Sequence, residues 1–441
     1  MYIERTIINK LVKWKTSPNR KPLLIKGARQ TGKTMLMEKF GKEHFDYCVK
    51  IDFERQEEFK SAFLHSKEPQ RILKELSLYS DVPIVPGRTL LIFDEIQECE
   101  EALNSLKYFC EDAPEYHVMA AGSSLGVAVR HRRMSVPVGK VEIIRMVPIT
   151  FKEFLKSSDF ATFHYVDQMI KPEHLPEVVL NRLKLEYRRY MVCGGMPEAV
   201  LAMLTNQGME AVDNVLQNIL NLYEMDFSKY AEQREIPRIH AIWHSLPSQL
   251  AKENRKFIYK IVRSGARAKD YEDALFWLEE ADMIYRVMSI SKPALPLKAY
   301  EDYGAFKVYA CDCGLLRRLA NLSPSTIMTQ TSGFTQFKGA IAENAILQAL
   351  IASSDGQTPC YWTSGNKAEV EFVVQRDEEI IPIEVKAENA ISGRSLSVYN
   401  DKYHPQHRIR FSFLNLQNNG GLLSCPSPLA EWVWKYISYN H

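Results

Sequence analysis

The sequence predicts an α/β protein of more than one domain, on three observations. Its 441 residues exceed what one hydrophobic core sustains. Near the N-terminus a short apolar strand runs through a glycine-rich loop into a helix, "KPLLIKGARQTGKTMLMEKF" (21–40). Near the C-terminus two strand-period stretches flank a charged turn, "EVEFVVQRDEEIIPIEVKA" (369–387). With 46% hydrophobic, 25% charged and 11% aromatic residues, the chain is globular and has little room for long disorder. A formal charge of +2 declares no nucleic-acid partner, so any basic face must be local. Glu4, Arg5, Lys10 and Lys13 interrupt the first residues, which argues against a signal peptide. No apolar run reaches the roughly 18 residues of a membrane span. The eight cysteines include no C-x-x-C pair and fit a reduced cytoplasm. The close pair in "ACDCG" (310–314) is expected to be buried thiols.

Residues 1–155 read as the first domain. Gly27-x-x-x-x-Gly32-Lys33-Thr34 lies between strand and helix, and chance supplies this pattern only about 0.015 times in a chain this long. A loop of this kind turns backbone N–H groups inward around phosphates and sets them on a helix N-terminus. Gly27, Ala28, Arg29, Gln30, Thr31, Gly32, Lys33, Thr34 and Met35 would form that cradle. Lys33 would reach the β- and γ-phosphates, and the Thr34 hydroxyl would face Mg²⁺. The second half of such a site follows in "RTLLIFDEIQ" (88–97), an apolar strand that ends on Asp94-Glu95. Asp94 would hold the Mg²⁺ shell, and Glu95 would orient or deprotonate the attacking water. "DYCVKIDFE" (46–54), "EYHVMAAGSS" (115–124) and "KVEIIRMVPIT" (140–150) supply further strands, and "FKSAFLH" and "RILKELSLY" supply helices. Ser123, or its neighbour Ser124, is placed to sense the γ-phosphate. The expectation is an ATPase using ATP and Mg²⁺.

With these residues in view, the chain resembles a bacterial and archaeal family of predicted ATPases. That family joins an AAA-type P-loop module to a C-terminal region of uncharacterised function with a nuclease-like end. The likeness rests on "IKGARQTGKT", "LLIFDEIQ", "AAGSSLGVAV", "VGKVEIIRMVPITFKEFL", "YMVCGGMPEAV", "LYEMDFSKY", "KVYACDCGLL" and "EVEFVV…IPIEVKA", in this order. Many relatives carry Gly-Arg where this chain has Gly139-Lys140. If that arginine acts on the γ-phosphate, Lys140 keeps the charge without the bidentate fork, with Arg130, Arg132 and Arg133 as alternatives.

Residues 156–235 read as a helical region, in which "CGGMPEAVLAML" (193–204) pairs Gly194 and Gly195 before a helix, for close packing or a ligand's approach. In 236–330, three short helices followed by two strands suggest a winged helix, which the resemblance also implies. Lys252, Arg255, Lys256, Lys260, Arg263, Arg267 and Lys269 crowd one segment and can neutralise nucleic-acid phosphates. The third helix, "KDYEDALFWLEEAD", is acidic, which favours a structural or protein-contact role instead.

Residues 331–441 form the last part. In "EVEFVV" Glu369 and Glu371 share a face, and in "IIPIEVKA" Glu384 and Lys386 do. Residues Gln375 to Glu379 can close a hairpin that puts both sets on one side. Glu371 and Glu384 would then hold a divalent ion, with Lys386 steadying the attacking water or the charge on phosphate. Two features weigh against activity: Glu371 stands where relatives have Asp, and Pro382 requires its strand to begin or bulge there. The simpler alternative is a solvated hairpin face. Upstream, "FKGAIAENAILQAL" (337–350) is an amphipathic helix carrying Glu343. The order helix acid, strand, strand acid, E-x-K resembles the PD-(D/E)xK nucleases, which include restriction enzymes and archaeal Holliday-junction resolvases. That resemblance implies a site of Glu343, Glu371, Glu384 and Lys386, a second Mg²⁺ or Mn²⁺, and DNA or RNA as partner. The other reading is an ATP-switched binding protein whose nuclease-like domain is inactive and holds a protein or nucleic acid.

Overall fold

The computed structural model describes residues 2–122, 126–127, 137, 139–252, 255–329, 335–354, 356–365, 368–387 and 393–438. Ser123, Ser124, Arg130, Arg132 and Arg133 lie outside these residues.

The first sheet has five parallel strands: β1 (Leu23–Lys26), β2 (Tyr47–Asp52), β3 (Thr89–Asp94), β4 (His117–Ala121) and β5 (Glu142–Arg145). Their order is β2-β3-β4-β1-β5. β3 and β4 are buried along their whole length because helices cover both faces, which is why they read as unbroken apolar runs. Alternation sorts the side chains. Leu23 and Ile25 pack with Leu36 and Phe40 of the helix Lys33–His44, while Leu24 joins Leu103, Leu106 and Phe109 on the other side. All five strands run the same way, so the glycine loop after β1 and Asp94 at the end of β3 share one edge, where such sheets bind ligands.

A helical layer follows. The helix Phe151–Ser158 starts in a capping box of Thr150 and Glu153. Glu153 also receives buried Arg5 at 2.9 Å, tying the N-terminal segment down. The helices Glu177–Cys193, Pro197–Leu204 and Met209–Tyr230 complete the layer. Gly194 and Gly195 serve close packing. A Cβ on Gly195 would lie 2.1 Å from the Ile149 carbonyl, and one on Gly194 would lie 2.0 Å from the Asp312 carboxylate. Asp312 accepts from the Gly195 N–H at 2.6 Å and from Leu315 N–H at 2.9 Å. "CGGMP" and "ACDCG" therefore meet as one knot, with their cysteines buried and unbonded.

The helices Ile236–Leu250, Tyr259–Val262 and Ala268–Glu280 precede the hairpin of β6 (Ile284–Ile290) and β7 (Glu301–Ala310). The hairpin is the edge of a second, eight-stranded sheet, ordered β12-β13-β11-β10-β9-β8-β6-β7. The other members are β8 (Cys360–Thr363), β9 (Glu369–Arg376), β10 (Glu379–Val385), β11 (Arg408–Ser412), β12 (Gln417–Asn419) and β13 (Leu422–Pro426). β6 joins β8 only at Ser289–Tyr361 and Ile290–Trp362. The helices Thr335–Ser353 and Arg394–Tyr403 contribute to separate apolar clusters against this sheet.

Two local expectations change. The β9–β10 hairpin closes over Asp377–Glu378 alone, with Arg376 opposite Glu379 and Asp377 in the left-handed conformation at φ 52°. Pro382 neither begins nor bulges its strand: β10 starts at Glu379, and Pro382 faces Val373 in unbroken register. Pairing with β11 begins one residue later, at Ile383, so the missing N–H falls where that neighbour is not yet engaged. Among the described residues no helix is long and apolar enough to cross a membrane.

Candidate functional site

Two constellations carry chemistry, one at each sheet. At the first, Gly27 must be glycine, because a Cβ there would lie 2.2 Å from the Met146 carbonyl. Gly32, at φ 88°, turns the loop into the helix Lys33–His44. Lys33 is buried, and its Nζ donates to the Gly27 and Ala28 carbonyls at 2.8 Å each. Burial pulls its pKa down to about 8, against the pull of Glu95, Asp282 and Asp94. Thr34 Oγ1 donates to Asp94 Oδ2 at 2.8 Å, so the two predicted Mg²⁺ groups already touch. Burial holds the Asp94 carboxyl above its usual range, and the Thr34 hydrogen bond acts the other way. Glu95 has left-handed backbone (φ 47°), uncommon for a residue other than glycine, and its carboxylate accepts from Gln97 at 2.6 Å.

Beside the loop lies a cavity of about 320 Å³, of small-molecule size. Tyr2, Ile3, Met35, Ile149, Pro197 and Leu201 are among its walls. It is apolar and adjoins the phosphate cradle, which suits a purine base. Met35, one of the nine residues expected to form the cradle, is among the walls of this cavity. The sequence reading missed this cavity because its walls come from four distant segments.

Lys140 does not approach this edge. It precedes β5, at the opposite end of the parallel sheet, and pairs with Glu111 at 2.7 Å. Within its own chain it cannot reach a γ-phosphate.

At the second sheet, Glu343, Glu369, Glu371 and Glu384 converge, all but Glu371 against a basic or phenolic partner. Glu384 is fully buried; its Oε2 accepts from Arg410 Nε at 2.9 Å, and Lys386 Nζ lies 3.1 Å from Oε1. Oε1 nevertheless has no hydrogen-bond partner, since the lysine approaches off angle. Glu371 accepts from the Val385 N–H at 3.2 Å. Burial, with Glu343 and Glu384 nearby, pushes Glu371 up to about 8, while Lys307 and Lys386 oppose the shift. Glu343 accepts from Tyr309 OH at 2.8 Å and pairs with Arg255. Lys307, fully buried on β7, pairs with Glu369. Burial disfavours its ammonium, but Glu369, Glu343 and Glu371 outweigh that and hold its pKa up.

The four predicted residues therefore come together, but Arg255, Lys307 and Arg410 join them unforeseen. Of the seven basic residues at 252–269, Arg255 turns inward, while Lys256, Lys260, Arg263, Arg267 and Lys269 are exposed. The acidic helix Ala268–Glu280 uses its charges internally: Glu272 and Glu279 bind Arg286 at 2.7 and 2.9 Å, and Glu280 approaches Lys26 at 3.8 Å.

Residues 19–155 match an AAA domain family. The N-terminal module is a P-loop AAA domain. ATP binding follows from that family together with the loop, the lysine and the strand acid. Residues 184–326 and 338–420 match two domains of unknown function (DUF8612 and DUF4143). No curated protein matches the chain significantly in sequence. Among solved structures, the Walker-type ATPase of Pyrococcus abyssi is 16% identical with a TM-score of 0.44, over 72% of this chain and 96% of that one. The ORC2 protein of Aeropyrum pernix (12% identity, TM-score 0.33) covers 73% of this chain and 91% of its own. CDC6P of Pyrobaculum aerophilum (11%, 0.25) covers 75% and 96%. These are loose likenesses.

Proposed function

We propose that the chain is a Mg²⁺-dependent ATPase whose nucleotide state acts on a nuclease-like C-terminal domain that engages DNA or RNA. The observation that carries the ATPase reading is the 2.8 Å contact of Thr34 with Asp94 beside buried Lys33 and Glu95. A hydroxyl and a carboxylate in contact at the mouth of a phosphate cradle suit Mg²⁺, which would neutralise phosphate charge. Lys33 would move from its two carbonyls to the phosphates, and Glu95, held by Gln97, would take the water's proton.

The division into 1–155, 156–235, 236–330 and 331–441 is part of this proposal. Helices, a hairpin and the Phe257 N–H bonded to the Phe306 carbonyl at 2.8 Å support a winged helix within 236–330. Its exposed basic residues suit a phosphate backbone. For the last domain, the order helix, β8, β9, β10, helix, β11, with β10 parallel to β11, supports the nuclease-like reading. Glu384 Oε1, which accepts no hydrogen bond and has Lys386 Nζ 3.1 Å away, is the feature beside Glu371 that fits a divalent ion there.

A chain of contacts supports coupling. The helix Met209–Tyr230 touches the glycine loop through Tyr223, whose OH donates to the Arg29 carbonyl at 3.0 Å. The same helix pairs Asp213 with buried Arg317. Next to Arg317, the Cys313 N–H bonds Gln348 at 2.7 Å and the Ala310 N–H bonds Asn344 at 3.0 Å, both on the helix that carries Glu343.

One observation favours the second reading, a binding domain that does not cut. Arg255 sits on Glu343 and Lys307 on Glu369, so the carboxylates are neutralised without metal. The test is cleavage of supercoiled and linear DNA with Mg²⁺ or Mn²⁺, with and without ATP. Cutting abolished by Glu384→Ala and altered by Lys33→Ala supports the nuclease. No cutting by a protein that still binds DNA supports the holding role.

A further inference from the structure

Residue 29, the second variable position of the glycine loop, is an arginine whose side chain leaves its own sheet. Its Nη1 donates to Asp226 Oδ1 on the helix Met209–Tyr230, across 197 residues of sequence. Asp226 is only 2% exposed, and its other oxygen, Oδ2, is buried with no hydrogen-bond partner. A carboxylate so enclosed depends on one arginine for most of its compensation. The pair lies at the glycine loop: Arg29 stands between Gly27 and Lys33, and the helix that carries Asp226 meets the loop again where Tyr223 OH donates to the Arg29 carbonyl at 3.0 Å. Arg29 keeps more than a quarter of its side chain exposed, and a guanidinium that spends one N–H on Asp226 has further donors for a second acceptor. The Arg29 backbone is fixed meanwhile, because its carbonyl accepts from Tyr223 of the same helix. The side chain can therefore move while the loop stays in place.

On the ATP-binding reading given above, we propose that Arg29 is the γ-phosphate sensor of this chain, exchanging Asp226 for the terminal phosphate and thereby releasing or shifting the Met209–Tyr230 helix. ADP offers no γ-phosphate and leaves the Arg29–Asp226 pair closed. ATP draws the guanidinium away and leaves a buried, uncompensated carboxylate, which the helix relieves by moving. That helix carries Lys229 on Glu54 at 2.6 Å and Tyr230 on Glu98 at 3.1 Å, so its C-terminal half is docked on the nucleotide module. Its N-terminal half holds Asp213 on Arg317. A local exchange at Arg29 thus reaches the segment that supports Glu343. The switch needs no residue from a second subunit, and it gives the missing cis-acting arginine a position that sequence alone did not offer.

The experiment measures affinity for ATPγS and for ADP, both with Mg²⁺, for the full-length chain and for Arg29→Ala and Asp226→Asn. Hydrogen exchange over 209–230 is followed in each nucleotide. Wild-type protein is expected to favour ATPγS, and Arg29→Ala to lose about 10- to 100-fold of that preference while ADP affinity changes little. Asp226→Asn keeps the preference for ATPγS and loses the difference in exchange between the two nucleotides, because the neutral side chain no longer registers the loss of its partner. Equal weakening of ADP and ATPγS by Arg29→Ala would make the arginine a fastener of the loop and overturn the proposal. So would an unchanged preference in that variant. Should Arg29→Ala fail to fold, Asp226→Asn with an undiminished exchange difference overturns it alone. Failure of the ATP-binding reading looks different: wild-type and Lys33→Ala proteins would then bind neither nucleotide.

Discussion

The two acidic sites of this chain are built on opposite principles. At the nucleotide site the charges are only loosely compensated: Lys33 rests on two carbonyl oxygens, and Asp94 accepts from a hydroxyl, with Lys50 Nζ no nearer than 3.5 Å to its Oδ2. At the second sheet each carboxylate but Glu371 has a cation against it, with Arg255 on Glu343, Lys307 on Glu369, and Arg410 and Lys386 on Glu384. The first is a site waiting for a charged ligand. In the second the paired carboxylates are already compensated, and a ligand there must displace or join an ion-pair network. Electrostatic incompleteness, more than the presence of acids and bases, separates them.

Stability measurements break this comparison most directly. Lys33→Met removes a buried ammonium that the apoprotein compensates poorly, and is expected to raise stability by about 2 kcal/mol. Glu384→Ala strips the partner from Arg410 and Lys386, and is expected to cost about 3 kcal/mol. Denaturant unfolding of the two variants should therefore move the midpoint in opposite directions. Shifts of the same sign would put both sites in one class.

The pH dependence sharpens the contrast. Glu371, raised from 4.5 to about 8, binds a proton in the folded chain that the unfolded chain gives up. Its contribution is complete below pH 4.5 and is lost as pH rises through about 8. Lys33, lowered from 10.5 to about 8, works the other way, and stability is regained as pH rises from about 8 to 10.5. Melting temperatures in chelator should show Glu371→Gln flattening the lower limb and Lys33→Met the upper one. The smallest effect is expected from Lys140→Ala, which should leave ATP turnover unchanged because the side chain lies on Glu111 at the far end of the sheet. A large loss of turnover would mean that Lys140 serves a neighbouring copy.

What was legible in the sequence was local. Gly27 to Thr34 lies within one strand–loop–helix unit, and Asp94-Glu95 ends one apolar strand, so spacing alone exposes both. Glu371 and Glu384 fall on one side because strand alternation puts them there, and their hairpin is short. The partners were not legible. Asp226 meets Arg29 across 197 residues, Arg255 meets Glu343 across 88, and Lys307 meets Glu369 across 62. No periodicity links such pairs; only packing does. The basic run at 252–269 shows the same limit. Composition marks a charged surface, yet its Arg255 is turned inward as a counter-ion. The acidic helix Ala268–Glu280 looked unsuited to a nucleic-acid groove, and in the fold its acids serve Arg286 and Lys26.

The central claim is that the first sheet hydrolyses ATP with Glu95 as base. The most direct test is phosphate release by the full chain in Mg²⁺-ATP, wild type beside Glu95→Gln, with ATP binding measured on the same samples. The account predicts steady release by wild type, lowered roughly 10²- to 10⁴-fold in Glu95→Gln, with ATP binding retained. Equal release by both proteins, or none by a wild type that binds ATP, would contradict it.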